Sequence, residues 1–260
     1  MLRALYSSAT GMKAQEMLID VTANNLANVN TNGFKRSQLD FADLLYSTIK
    51  QAGAEVATQQ PSPIGLQIGS GVRPVGTTKH FTPGSIEQTG NPTDIAIEGD
   101  GFFKIELPGG EFRYTRDGTF RVDATGTLVT ADGYRLSDSI RFDPNATSIS
   151  VGTDGTVTAL LNGRMTQAGR LSLVRFQNPA GLSSEGNNLY ALTDASGQEL
   201  VGTPGQNGYG TLRGGFLERS NVEVVTELIS LITAQRAYEV NARAIRAGDE
   251  MLSTTTDIVR

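Results

Sequence analysis

Residues 220–259 read SNVEVVTELISLITAQRAYEVNARAIRAGDEMLSTTTDIV. Val224, Leu231, Tyr238, Ile245, Leu252 and Val259 stand seven residues apart in an unbroken series, and Leu228 and Ala242 fall four residues after members of it. An apolar period of seven held for this long keeps one seam of a helix turned toward a helical neighbour. Ser220-Asn221-Val222-Glu223 reads as a capping box at the N-terminus, a hydroxyl followed three residues later by a carboxylate. The spacing predicts a helix of about 35 residues, roughly 50 Å long at 1.5 Å per residue.

The other end of the chain repeats the pattern. Leu5, Met12, Ile19 and Leu26 are seven apart, flanked at the three-residue offset by Leu2, Ala9 and Ala23, with Glu16 the charged exception. This predicts an N-terminal helix over 1–32. It runs into ANNLANVNTNGFKR at 23–36, where five of the ten residues from Ala23 to Asn32 are asparagine. Asparagine is a poor helix-interior residue because its amide competes for backbone hydrogen bonds. Asn32-Gly33 suits a helix stop, since both residue types accept the left-handed conformation.

Between the two ends the pattern turns to β. Asp100-Gly101, Asp117-Gly118, Asp132-Gly133, Asp154-Gly155 and Asn162-Gly163 are tight-turn signals. Short strand-like runs lie among them: Asp94–Glu98, Phe102–Ile105, Phe112–Tyr114, Thr127–Thr130 and Leu171–Val174. The fold class expected is α+β: long terminal helices pairing as a coiled-coil-like core domain, with an inserted antiparallel β domain and an extended β arm. The domains expected are 1–32, a connecting region 33–94 carrying the arm at about 46–74, the β domain 95–215, and the C-terminal helix region 216–260. From Gly53 the connecting region is rich in Gln, Gly and Pro, and structureless loops of that length are often functional.

Composition narrows the function. A net charge of −5 with 19% charged residues disfavours a nucleic-acid partner. There is no cysteine and one histidine, His80, so disulfides and His/Cys zinc sites are excluded. Gly69, Gly71 and Gly76 fail the spacing of a dinucleotide fingerprint, and no phosphate loop is present. His80 has no nucleophile motif near it and reads as a surface or interface histidine. Asn145-Ala146-Thr147 fits a glycosylation triplet of a kind common by chance. No catalytic, metal or cofactor site is expected. No segment approaches a membrane span, and Ser7, Ser8, Thr10 and Lys13 interrupt the N-terminus before a cleavable signal could form. The chain is expected to stay in the cytoplasm or to leave by a route that needs no such signal.

Isolated terminal helices are marginal in water, and most helical stability comes from packing. A seam this long offers more apolar surface than one partner covers. Self-assembly follows, and contacts between different patches can propagate as an open helix.

Three segments resemble a known family. Ala23–Lys35 is similar to the N-terminal signature of the bacterial flagellar rod and hook proteins. Ile97–Phe103 and Tyr114–Gly118 are similar to its shared β segments, and Ser220–Glu239 to its C-terminal signature. Within the family, the chain length and Gly65–Pro74 look most like the members that build the distal rod. The resemblance implies a non-enzymatic subunit of a rigid tubular drive shaft that carries motor torque to the hook. It implies a helical homopolymer in the basal body, crossing the periplasm and exported unfolded through the flagellar type III apparatus. Implied partners are other copies, proximal rod proteins, the hook protein and the surrounding L and P ring proteins. The assembly interface implied is Leu5, Met12, Ile19, Asn24, Asn25, Leu26, Asn28, Val224, Leu231, Tyr238, Ile245 and Leu252. The arm residues implied are Tyr46, Leu66, Ile68 and Val72. The asparagines either bridge to adjacent subunits or cap only their own helix. Competing expectations are a proximal rod or hook-type subunit and, from another class, a secreted carbohydrate-binding module, which the absence of Trp disfavours.

Overall fold

A computed structural model describes residues 2–51, 55–57, 60–61, 64–143, 146, 148–161 and 163–258. Val259, the side chain of Leu2, Asn145 and Thr147 of the glycosylation triplet, Asn162, and most of the arm tip at 53–63 lie outside the described residues. The chain forms two units: residues 1–26, 37–78 and 223–260 make a helical unit, and residues 27–36 and 79–222 make a β unit. The β unit therefore takes in the turn after the first helix and begins earlier than the expected 95.

The helical unit holds α1, Leu2–Ala27, and α2, Val224–Ile258. α2 has the 35 residues its period predicts. The capping box does not form as read. Ser220 Oγ accepts from the Val222 amide at 3.2 Å, and α2 starts one residue after Glu223. The physical reason is Asn221, whose side chain is engaged inside the β unit. Its Oδ1 accepts from the Arg36 amide at 2.7 Å, and its Nδ2 donates to the His80 carbonyl at 2.8 Å. α1 stops at Ala27, before the asparagine run ends. Of Asn32 and Gly33, only Gly33 is left-handed, at φ 68°.

Two antiparallel pairings complete the helical unit. Ser37–Asp43 pairs with Val72–Lys79. Tyr46–Lys50 pairs with Leu66–Gly69 in a ribbon that matches Tyr46 with Gly69 and Ser47 with Ile68.

The β unit contains a seven-stranded antiparallel sheet with Phe103–Glu106 and Phe112–Thr115 adjacent at its middle. A three-stranded meander, Ser148–Val151, Thr156–Leu161 and Arg164–Arg170, and smaller two-stranded pairs surround it. Ile95–Glu98 pairs with Thr211–Gly214, and Ile86–Gln88 pairs with Phe216–Glu218, so late strands close over early ones. One core gathers Ile95, Ile97, Phe103, Phe120, Leu128, Leu136, Ile140, Leu171, Leu173 and Leu212, each exposed by 2% or less. Gly118 serves close approach rather than turn geometry: a Cβ there would lie 1.8 Å from the Ile95 carbonyl oxygen.

A charged cluster is buried beside this core. Lys35 Nζ donates to Glu218 Oε1 at 2.6 Å and to the Thr82 carbonyl at 2.8 Å. Arg116 donates from Nε to Glu218 Oε2 at 3.0 Å, and from Nη1 to the carbonyls of Gly99 at 2.8 Å and Gly101 at 2.7 Å. The Gly84 amide also donates to Glu218, at 2.9 Å. Two cations share one carboxylate. Burial first, and then repulsion from Arg116, pull the Lys35 pKa down to about 8 against the attraction of Glu218.

Candidate assembly surfaces

α1 and α2 pack antiparallel within the helical unit. A methyl on Gly248 would meet Leu5 Cδ2 at 2.6 Å, and one on Gly11 would meet Asn241 Nδ2 at 3.0 Å. At the far end Asn25 Nδ2 donates to Glu227 Oε2 at 3.3 Å. The buried residues here are small or polar: Ala14, Thr22 and Asn25 on α1, and Glu227, Ala234 and Gly248 on α2. Small side chains at a crossing bring the helix axes together.

The contact line on α2 differs from the large apolar seam. Glu227, Ala234, Asn241 and Gly248 repeat every seven residues, three positions after Val224, Leu231, Tyr238 and Ile245. Of the expected seam, Leu231, Ile245 and Leu252 are half-buried, while Val224 and Tyr238 are each 41% exposed. On α1, Leu5, Met12, Ile19 and Leu26 are all half-buried. Sequence reasoning missed the small line because it searched for large apolar residues. Glycine and alanine at the same spacing were the available signal.

A second apolar face lies across α2. Val225 is 64% exposed, Ile229 60% and Ile232 47%. Each stands two residues from a member of the buried line, about 200° round the helix at 3.6 residues per turn. One chain therefore covers one side of α2 and leaves the opposite side apolar and open over its first turns, until Arg236 and Arg243 enter that face. Contiguous exposed apolar surface of this kind marks a site of interaction.

The asparagines divide their work. Asn25 is buried and pairs with Ser37 in both directions, Oδ1 accepting from its amide at 2.9 Å and Nδ2 donating to its carbonyl at 2.8 Å. Asn28 Oδ1 accepts from the Thr31 hydroxyl at 3.1 Å, a local turn contact. Asn24 is exposed on the surface of α1. Asn25→Ala is expected to cost about 1–3 kcal/mol, because it leaves two backbone groups of Ser37 without their partner. Urea unfolding of wild type and variant measures this, and an unchanged midpoint would refute the role.

The ribbon after α1 is apolar on its surface. Tyr46, Leu66 and Ile68 are exposed, as are Leu45, Ile49 and Ile64. Val72 is half-buried where the chain returns, and its amide donates to Thr10 Oγ1 of α1 at 3.4 Å. The return needs a glycine. Gly71 has φ 111°, and a Cβ on it would lie 2.1 Å from Thr10 Oγ1.

Comparison with known proteins places the chain in a family. Residues 5–35 match the flagella basal body rod protein model, residues 96–159 the flagellar hook protein FlgE/F/G D1 domain, and residues 213–258 the flagellar basal body rod FlgEFG protein C-terminal model. The chain is 45% identical over 260 residues, covering 99% of it and 100% of the relative, to the flagellar basal-body rod protein FlgG of Buchnera aphidicola subsp. Schizaphis graminum. It is 43% identical to FlgG of Borreliella burgdorferi and 40% identical to FlgG of Bacillus subtilis, both with full coverage of either chain. The chain belongs to the flagellar basal-body rod protein family. It is a structural subunit of the flagellar rod and not an enzyme, and it is most similar to the FlgG group. The two rod-protein models cover the stretches that form most of α1 and α2, and the D1 model lies within the β unit. The carbohydrate-binding alternative has no support.

His80 sits in the β unit, where its amide donates to the Arg36 carbonyl at 2.9 Å. Among the described residues, no group of three or more His, Cys, Asp and Glu could hold a metal ion. Among the described residues, no helix is long and apolar enough to cross a membrane.

Proposed function

We propose that this chain polymerises as the distal rod, its terminal helices packing with those of other copies into an inner coiled-coil-like tube. The observation that carries this is the two-sided α2, apolar at Val225, Ile229 and Ile232 on the side that its own α1 does not cover. The half-buried Leu5, Met12, Ile19, Leu26, Leu231, Ile245 and Leu252 join the same packing, with the exposed Val224 and Tyr238 at its margin. The surface apolar residues of the ribbon, Tyr46, Leu66 and Ile68, make the arm a lateral contact that stiffens the shaft. Asn24 and Asn28 face neighbours in this arrangement, whereas Asn25 acts inside its own subunit. Rigidity comes from the multiplicity of contacts, and torque passes through them from proximal rod to hook, inside the L and P rings. The subunit reaches the periplasm through the flagellar export apparatus.

Two measurements test this. Electron microscopy of the polymer formed by the full chain is expected to show a straight shaft; a curved one would move the chain to a hook-type role. Leu231→Ala or Ile245→Ala is expected to suppress polymer while the β unit melts as in wild type, since truncating a buried large aliphatic side chain costs about 2–5 kcal/mol. Normal rods from both variants would defeat the tube assignment.

A further inference from the structure

We propose that a cavity in the β unit, between Arg116 and Arg175, binds a carboxylate carried on an apolar or aromatic body. The cavity measures about 250 Å³. That is below the roughly 300–1,000 Å³ of drug-sized sites and suits one side chain or one small aryl acid. Phe81, Phe102 and Phe176 wall it, with ring centroids 5.3 Å apart for Phe81 and Phe102 and 5.7 Å for Phe102 and Phe176, both edge to face.

The charge around this cavity is unbalanced. Lys35 and Arg116 share Glu218, and Arg175 has only Asp100, whose carboxylate is 3.4 Å away on an exposed side chain. Three cations thus face two carboxylates. Arg116 is 3% exposed and lines the cavity. Its Nη2 is paired with Glu218 Oε2 at 2.9 Å. Arg116 is engaged by Glu218 and by the carbonyls of Gly99 and Gly101, so it gives the cavity wall positive potential and leaves Arg175 as the group that binds the acid directly. Arg175 is held loosely, with contacts of 3.4 Å to Asn207 and to Asp100, so its planar fork can turn to an incoming acid. None of this depends on the rod reading.

The test is a titration of the isotope-labelled full chain with sodium phenylacetate, followed by NMR, with phenylacetamide and inorganic phosphate as controls. Saturable shifts of the Gly101, Phe102, Phe176 and Gln177 amides are expected with phenylacetate only. Arg175→Gln, at a partly exposed position that should fold normally, is expected to weaken binding about tenfold. Asp100→Asn removes the competing acid and is expected to tighten binding by about two- to fivefold. No saturable shift, an equal response to phenylacetamide or phosphate, or unchanged affinity in Arg175→Gln each overturns the assignment. Polymerisation identifies the source of the acid. If phenylacetate blocks polymer formation, a neighbouring copy supplies the carboxylate. If a saturating amount leaves polymerisation unchanged, the natural ligand is a free small acid.

Discussion

Glu218→Ala is expected to destabilise the β unit by about 3–5 kcal/mol, because it leaves Lys35 and Arg116 buried with no counter-charge. The carboxylate receives Lys35 at 2.6 Å, Arg116 at 3.0 Å and the Gly84 amide at 2.9 Å, so one substitution orphans donors on three segments of chain. Thermal unfolding followed in the β-sheet signal measures the loss. Lys35→Met has the opposite character. It removes the surplus cation and keeps the Arg116–Glu218 pair, so the expected change at neutral pH is within about 1 kcal/mol, or a gain. If Lys35→Met proved as damaging as Glu218→Ala, the surplus-cation account would be wrong.

The same cluster sets a pH dependence. The folded Lys35 pKa of about 8 lies below its ordinary value of 10.5, so between those values the unfolded chain binds more protons. Stability therefore rises with pH through this window, by at most ~3 kcal/mol, and is flat below it. Lys79, pulled down by burial, contributes in the same direction. Tyr114 and Tyr190 oppose it near pH 10, because burial pushes their hydroxyl pKa values up while unfolded tyrosines ionise at their ordinary value of about 10. Much of the rise from pH 8 should vanish in Lys35→Met, and an identical rise in the variant would contradict the assignment.

The second large effect is on assembly. Ile229→Lys is expected to leave no polymer at concentrations where wild type polymerises fully. Ile229 is 60% exposed on the uncovered side of α2, so the substitution removes little from the single chain. Monomer stability should change by less than about 0.5 kcal/mol, as for surface substitutions generally. Burying such a side chain against a neighbour contributes about 1.5–3 kcal/mol, and the lysine places an unpaired charge there instead. The loss recurs in every subunit. Sedimentation measures the polymer and circular dichroism the monomer. Ile229→Met, which keeps an apolar side chain of similar size, should retain assembly. Wild-type polymer from Ile229→Lys would remove this face from the tube.

Much of the architecture was legible before any coordinates. The heptad series placed both helices because burial of a helical seam imposes its period directly on residue type. Asp-Gly pairs marked turns of the antiparallel sheets because few residue types accept positive φ, although Gly118 proved to answer a steric demand from Ile95. The capping box at Ser220 misled, because a local motif cannot report that Asn221 is claimed by Arg36 and His80 far along the chain.

By itself, the sequence determined that two long helices bracket a β-rich interior, and that the chain carries more apolar helix surface than it covers. Only the tertiary structure decided which helix line is covered within one subunit, Glu227, Ala234, Asn241 and Gly248, and which is left open. It alone brought Lys35 and Arg116 onto Glu218 across 183 and 102 residues of chain. Periodicity records that a face is buried without naming what buries it, and a buried charge depends on a partner that sequence neighbours do not reveal.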